Sequence, residues 1–119
     1  MKKIICLFLL LCVCMIGSAE NNVPIGLKGG LKTGSSKNQS EQLQVLLSEH
    51  EIRVNFLDCF NNLTVEIENE NGITVYNNTV NSCVTNSISI NIQNFPLGWY
   101  KIKITDQNGG YVEGWFFIE

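Results

Sequence analysis

Trp99-Tyr100-Lys101-Ile102-Lys103-Ile104-Thr105, the turn-rich Asp106-Gln107-Asn108-Gly109-Gly110, and Tyr111-Val112-Glu113-Gly114-Trp115-Phe116-Phe117-Ile118 together decide how this chain folds. Tyr100, Ile102 and Ile104 recur every second residue with lysines between them. That period sends one set of side chains inward and the other outward, as a strand does and a helix does not. Asn108-Gly109-Gly110 has turn chemistry. Beyond it Val112, Gly114, Phe116 and Ile118 take up the same rhythm. The stretch predicts two adjacent, half-buried strands.

The same period runs back to Leu43. Leu43, Val45 and Leu47 alternate with neighbours of the other face, as do Ile52, Val54 and Phe56, then Leu63, Val65 and Ile67. Ile73 and Val75 follow the turn Asn69-Glu70-Asn71-Gly72, and Ile88, Ile90 and Ile92 come next. Pro96-Leu97-Gly98 punctuates the approach to the final pair. Short alternating strands separated by turns predict an all-β sandwich of about seven strands over residues 43–119.

Upstream the pattern is different. Met1-Lys2-Lys3, an unbroken apolar run of 13 residues from Ile4 to Ile16, and Gly17-Ser18-Ala19 before Glu20 have the layout of a secretory signal peptide. Thirteen helical residues rise only about 20 Å, short of a bilayer core of roughly 30 Å. Residues 1–19 are therefore expected to be cleaved near Ala19, giving a periplasmic or extracellular protein with no membrane span in its mature part. Lipidation at Cys12 or Cys14 is disfavoured, because Leu11 and Val13 stand where a small residue is needed. Residues 20–42 form an N-terminal segment, with a candidate edge strand at Val23 to Leu31 and a flexible connection after it.

A chain of 119 residues is one domain by default. Its charged fraction is 16%, below the roughly 25% of an average soluble protein, so the outer faces are largely uncharged. Without Lys2 and Lys3 the mature part carries 6 basic and 11 acidic residues. The basic residues are scattered, and Arg53 is the only arginine, so nucleic acid and anionic lipid are poor candidates for partners, and no nucleic acid is expected.

Ile52-x-Val54-x-Phe56, Leu63-Thr64-Val65-x-Ile67 and Asn71-Gly72-x-x-Val75-Tyr76 form the first half of a wider pattern. Ile88-x-Ile90-x-Ile92, Gly98-x-Tyr100-x-Ile102-x-Ile104 and Gly114-x-Phe116-x-Ile118 complete it. In this order they resemble a family of small secreted Bacteroidetes proteins known as domain of unknown function 3244. The resemblance implies an immunoglobulin-like antiparallel β-sandwich behind a signal peptide, with no assigned activity and no functional residue to carry over. Gly98-x-Tyr100 and the terminal strands are also similar to C-terminal sorting domains of type IX secretion substrates. Those usually follow a large passenger and end in basic residues, whereas this chain ends in Glu119.

In a sandwich whose strands alternate up and down, Cys59 follows one up-going strand and Cys83 another. Both fall at the same end, so they are candidates for a disulfide in an oxidising compartment, two unpaired thiols being the alternative. A bridge closing a loop of about 25 residues stabilises by roughly 3 kcal/mol in the chain-entropy model.

Catalytic chemistry is hard to assemble. His50 is the single histidine and lies in the predicted hairpin turn Ser48-Glu49-His50-Glu51, at the end opposite Cys59 and Cys83. Adjacent turn residues do not converge on a metal as separated ligands do. Paired carboxylates from Glu66, Glu68 and Glu113 are conceivable, but Glu66 and Glu68 fall on the outward parity of one strand, where alternating polar residues are expected in any case. No glycine-rich phosphate loop is present. Neither an enzyme nor a cofactor is expected.

The outward parity of the last two strands is more informative. Trp99, Tyr111, Trp115 and Phe117 all fall on it, beside Lys101, Lys103 and Glu113. Rings of this size anchor interfaces and sugars alike. Either the N-terminal segment, through Val23, Ile25, Leu27 and Leu31, covers this face, or the face binds a protein, peptide or glycan. A non-catalytic binding or structural module is the leading expectation. A small periplasmic hydrolase inhibitor is the alternative, inserting the end that carries Asn61-Asn62 and Gln107 to Gly110. Unpaired edge strands also offer dimerisation by sheet extension.

Overall fold

The computed structural model describes residues 22–31 and 42–119. The expected leader over residues 1–19 and the expected flexible connection over residues 32–41 lie outside them. Nine strands are described: β1 (Val23–Pro24), β2 (Lys28–Gly30), β3 (Leu43–Leu47), β4 (Glu51–Phe56), β5 (Asn62–Asn69), β6 (Thr74–Asn81), β7 (Ser87–Asn91), β8 (Gly98–Asp106) and β9 (Tyr111–Ile118). They form a four-stranded sheet in the order β1-β3-β4-β7 and a five-stranded sheet in the order β2-β9-β8-β5-β6. Every pairing between them is antiparallel. The seven strands expected after Leu43 are all present, and the N-terminal segment adds two short ones.

The core lies where the two inward rows meet. Ile52, Val54, Leu63, Val65, Ile67, Ile102 and Ile104 have no exposed surface. In β8 the alternation is complete: Tyr100, Ile102 and Ile104 are buried while Trp99, Lys101 and Lys103 are not. Tyr100 stacks on Phe116 at a centroid distance of 5.6 Å, and its hydroxyl donates to the Pro96 carbonyl at 2.6 Å. Burial, with the Glu70 carboxylate adding to it, pushes the Tyr100 phenol above its ordinary pKa.

The N-terminal segment divides between the sheets. Val23–Pro24 pairs with β3 and Lys28–Gly30 with β9, so residues 25–27 cross from one sheet to the other. Ile25 enters the core on the way, and Leu27 packs against it. Gly114 in β9 makes the crossing possible. A Cβ there would collide with the Gly26 carbonyl and stand 2.8 Å from Ile25 Cγ2. Gly114→Ala is therefore expected to displace residues 25–27 and cost about 1–3 kcal/mol, the usual range for overpacking. Urea unfolding measures the loss, and faster proteolysis near residue 26 localises it. An unchanged midpoint would show that the crossing does not depend on this close approach.

One inward row differs from the sequence reading. Ile73 and Val75 are exposed, whereas Tyr76 and Val80 are the half-buried apolar residues of β6. The register of β5 and β6 shifts at Ile67/Glu68: Ile67 opposes Tyr76 while Glu68 opposes Thr74, leaving Val75 as an extra residue. A bulge of this kind exchanges the faces of the residues on either side of it.

Candidate binding face and the disulfide end

Strand register sets the outer face of the five-stranded sheet in rows. Opposite residues in an antiparallel pair share a face, with Cβ atoms roughly 5 Å apart. On β8 and β9 the outward pairs are Trp99 with Phe117, Lys101 with Trp115, Lys103 with Glu113, and Thr105 with Tyr111. Further along these rows Glu68 opposes Lys101 and Glu66 opposes Lys103, while Lys28 of β2 opposes Glu113 from the other side.

The four aromatic residues expected to face outward do so. Trp99, Tyr111, Trp115 and Phe117 are 49%, 42%, 56% and 44% exposed. The described part of the N-terminal segment does not lie over them, because it runs along the sheet edges and into the core. Trp99 and Phe117 meet edge to face, with centroids 5.2 Å apart and planes inclined by 62°. The Lys101 ammonium lies 5.7 Å from the Trp115 ring and that of Lys103 lies 4.6 Å from the Tyr111 ring, both within cation–π reach. Lys101 Nζ also sits 3.5 Å from Glu113 and 3.8 Å from Glu68. The charges in the middle of the face thus answer one another, and the rings form its apolar margin.

At one end of the sandwich the loop between β4 and β5 and the loop between β6 and β7 both cross from sheet to sheet. Cys59 and Cys83 join them as a disulfide, with Cα atoms 4.4 Å apart. Beside it the Phe60 N–H donates to Ser82 Oγ at 2.7 Å, and the Ser82 N–H donates to the Asn61 carbonyl at 2.8 Å. Asn61 takes a left-handed conformation at φ 61°, which asparagine tolerates better than most residues. Phe60 turns inward and is fully buried.

The family model for a domain of unknown function, DUF3244, matches residues 22–118. The chain belongs to this family. It is similar to a solved DUF3244 protein from Bacteroides vulgatus ATCC 8482 with an immunoglobulin-like β-sandwich fold. The two share 23% identity at a TM-score of 0.71, over 82% of this chain and 99% of the other. No curated protein matches the chain significantly. The family carries no assigned function.

In this DUF3244 chain the remaining candidates do not assemble into one site. His50 is at the β3–β4 turn, 3.8 Å from Glu49 and with Nδ1 3.1 Å from Gln93 Nε2. Glu51 is engaged by Arg53 at 2.9 Å. Among the described residues no three His, Cys, Asp or Glu side chains are grouped to hold a metal ion. Glu66 accepts from Asn77, and Glu68 and Glu113 come together on either side of Lys101, so each carboxylate has a surface partner. The 107–110 turn closes on Asp106, whose carboxylate accepts from the Asn108 and Gly110 N–H groups at 3.0 and 2.8 Å. That end of the domain is compact. Nothing in the site or the comparisons points to catalysis.

Proposed function

We propose that this domain is exported by its leader and acts outside the cytoplasm as a non-catalytic docking module, its partner a protein or peptide seated on the outer face of β8 and β9. The observation that carries this is the exposure of four large aromatic side chains on adjacent strands. Apolar patches of this kind mark contact sites. The disulfide, and the lack among the described residues of a helix long and apolar enough to cross a membrane, fit an exported protein.

Ring geometry favours a protein over a glycan. A polysaccharide platform presents flat ring faces to successive sugars. Here Trp99 and Phe117 are steeply inclined, and the Trp115 and Tyr111 rings have ammonium groups near them. Tryptophan and tyrosine surrounded by compensated charges are typical of protein contact sites.

Capture from envelope extract tests the proposal, with Trp99→Ser, Trp115→Ser and a replaced 107–110 turn run in parallel. A specific partner is expected to bind wild type and the turn variant alike, and to weaken about tenfold or more with either tryptophan variant. Both tryptophans are exposed, so thermal midpoints should barely move. Binding lost with the turn variant alone would favour the inhibitor-type end instead. Retention on a neutral polysaccharide that depends on Trp115 would make the ligand a glycan.

A further inference from the structure

We infer that the outer edge of β6 is a self-association surface, on which β6 of a second copy pairs antiparallel and joins two five-stranded sheets into one. It is independent of the aromatic face, which lies on different strands.

The described strands leave four sheet edges: β1 and β7 in one sheet, β2 and β6 in the other. Proteins blunt exposed edges with shortness, charge, proline or bulges. β1 is two residues long and includes Pro24, and β2 is three residues with Lys28 and two glycines. β7 has five residues. β6 has eight, Thr74 to Asn81, with no charged residue and no proline, and its bulge is confined to the start.

Hydrogen-bond phase shows which of its amides face outward. The Ser82 N–H donates to the Asn61 carbonyl, so residue 82 turns its backbone groups toward β5. The alternation of an antiparallel ladder then gives Val80, Asn78 and Tyr76 to β5, and points the N–H and C=O of Asn77 and Thr79 away from it. No described strand lies on that side.

A two-fold axis through Asn78 places Asn77 opposite Thr79 of the second copy, and Thr79 opposite its Asn77, each pair exchanging both backbone bonds. On the core side the same register sets Tyr76 against Val80 of the second copy, joining two half-buried apolar residues from each chain. Without charge, the strand meets no like-charge repulsion in its own copy. A foreign strand chosen by charge would find nothing on this edge to recognise.

Sedimentation equilibrium of the exported protein across a wide concentration range tests this, with Asn77→Pro and Asn77→Lys beside wild type. Proline removes an N–H that points away from β5, a position where sheets tolerate it. Lysine retains a partner in Glu66, which Asn77 already contacts at 3.3 Å. The expected result is a wild-type mass that doubles with concentration while both variants remain single chains with unchanged circular dichroism. If the proline variant fails to fold, the lysine variant decides alone. A wild type that stays a single chain throughout, or a dimer that survives in the folded variants, overturns the inference. So does a dimer abolished by Trp115→Ser and kept by Asn77→Lys, which would move self-contact to the aromatic face.

Discussion

Phe60→Ala is expected to lower the free energy of unfolding by about 3–5 kcal/mol, the range for removing a fully buried phenylalanine. The size of the effect is notable because Phe60 is in a loop, between β4 and β5, where backbone usually runs over the surface. Here the loop turns its ring into the core, fully buried, while its N–H is held by the buried hydroxyl of Ser82. Truncation removes the ring's contacts and leaves a cavity that two tethered loops cannot collapse to fill. Urea denaturation with an unchanged m value measures the loss directly. A loss under about 1 kcal/mol would mean the loop relaxes into the space, and the ring does not plug that end of the sandwich.

Phe60 also marks the limit of what periodicity conveys. Alternation locates strands and their faces, because burying one side of a pleated sheet demands a period of two. Hence the seven strands after Leu43, the inward row Tyr100, Ile102 and Ile104, and the outward Trp99 and Trp115 were all legible. A residue outside a strand has no parity, so nothing in the pattern distinguishes buried Phe60 from exposed Leu57. The division of the N-terminal segment between two sheets was hidden for a related reason. It depends on the missing side chain of Gly114, a local vacancy that acquires meaning only when Gly26 lies against it.

Parity was least reliable at β6. The bulge at Ile67/Glu68 arises in the pairing between two strands: the apolar residues pass from odd positions, Ile73 and Val75, to even ones, Tyr76 and Val80, and only the register shows which set turns inward. In the candidate face, sequence supplied the four rings but not the order of the charges among them. That order follows from the β5–β8 and β8–β9 registers, which bring Glu68 and Glu113 to either side of Lys101. Non-local pairing gathers Lys28, Lys101 and Lys103 among Glu66, Glu68 and Glu113 into a compensated group, so a partner docked on this face as proposed would be selected by shape and apolar area more than by net charge. Weak salt dependence of partner binding is the corollary.

Replacing Cys59 and Cys83 together by serine should cost about 3 kcal/mol, the chain-entropy value for releasing a loop with a sequence separation of 24. For a domain of this size that corresponds to a melting-temperature drop of roughly 10–20 °C. The neighbouring Phe60–Ser82 and Ser82–Asn61 hydrogen bonds do not make the bridge redundant, because they dissolve in the unfolded chain whereas the covalent link persists and restricts it. The bridge also joins the two crossings on which Phe60 depends, so its loss loosens the ring and the core beneath. Alkylation of the denatured native protein without reductant should add nothing at either cysteine, and reductant should lower its unfolding midpoint to that of the double serine variant. Two alkyl groups added before reduction would show the thiols unpaired. A midpoint unmoved by reduction would show that the hydrogen bonds alone hold this end closed.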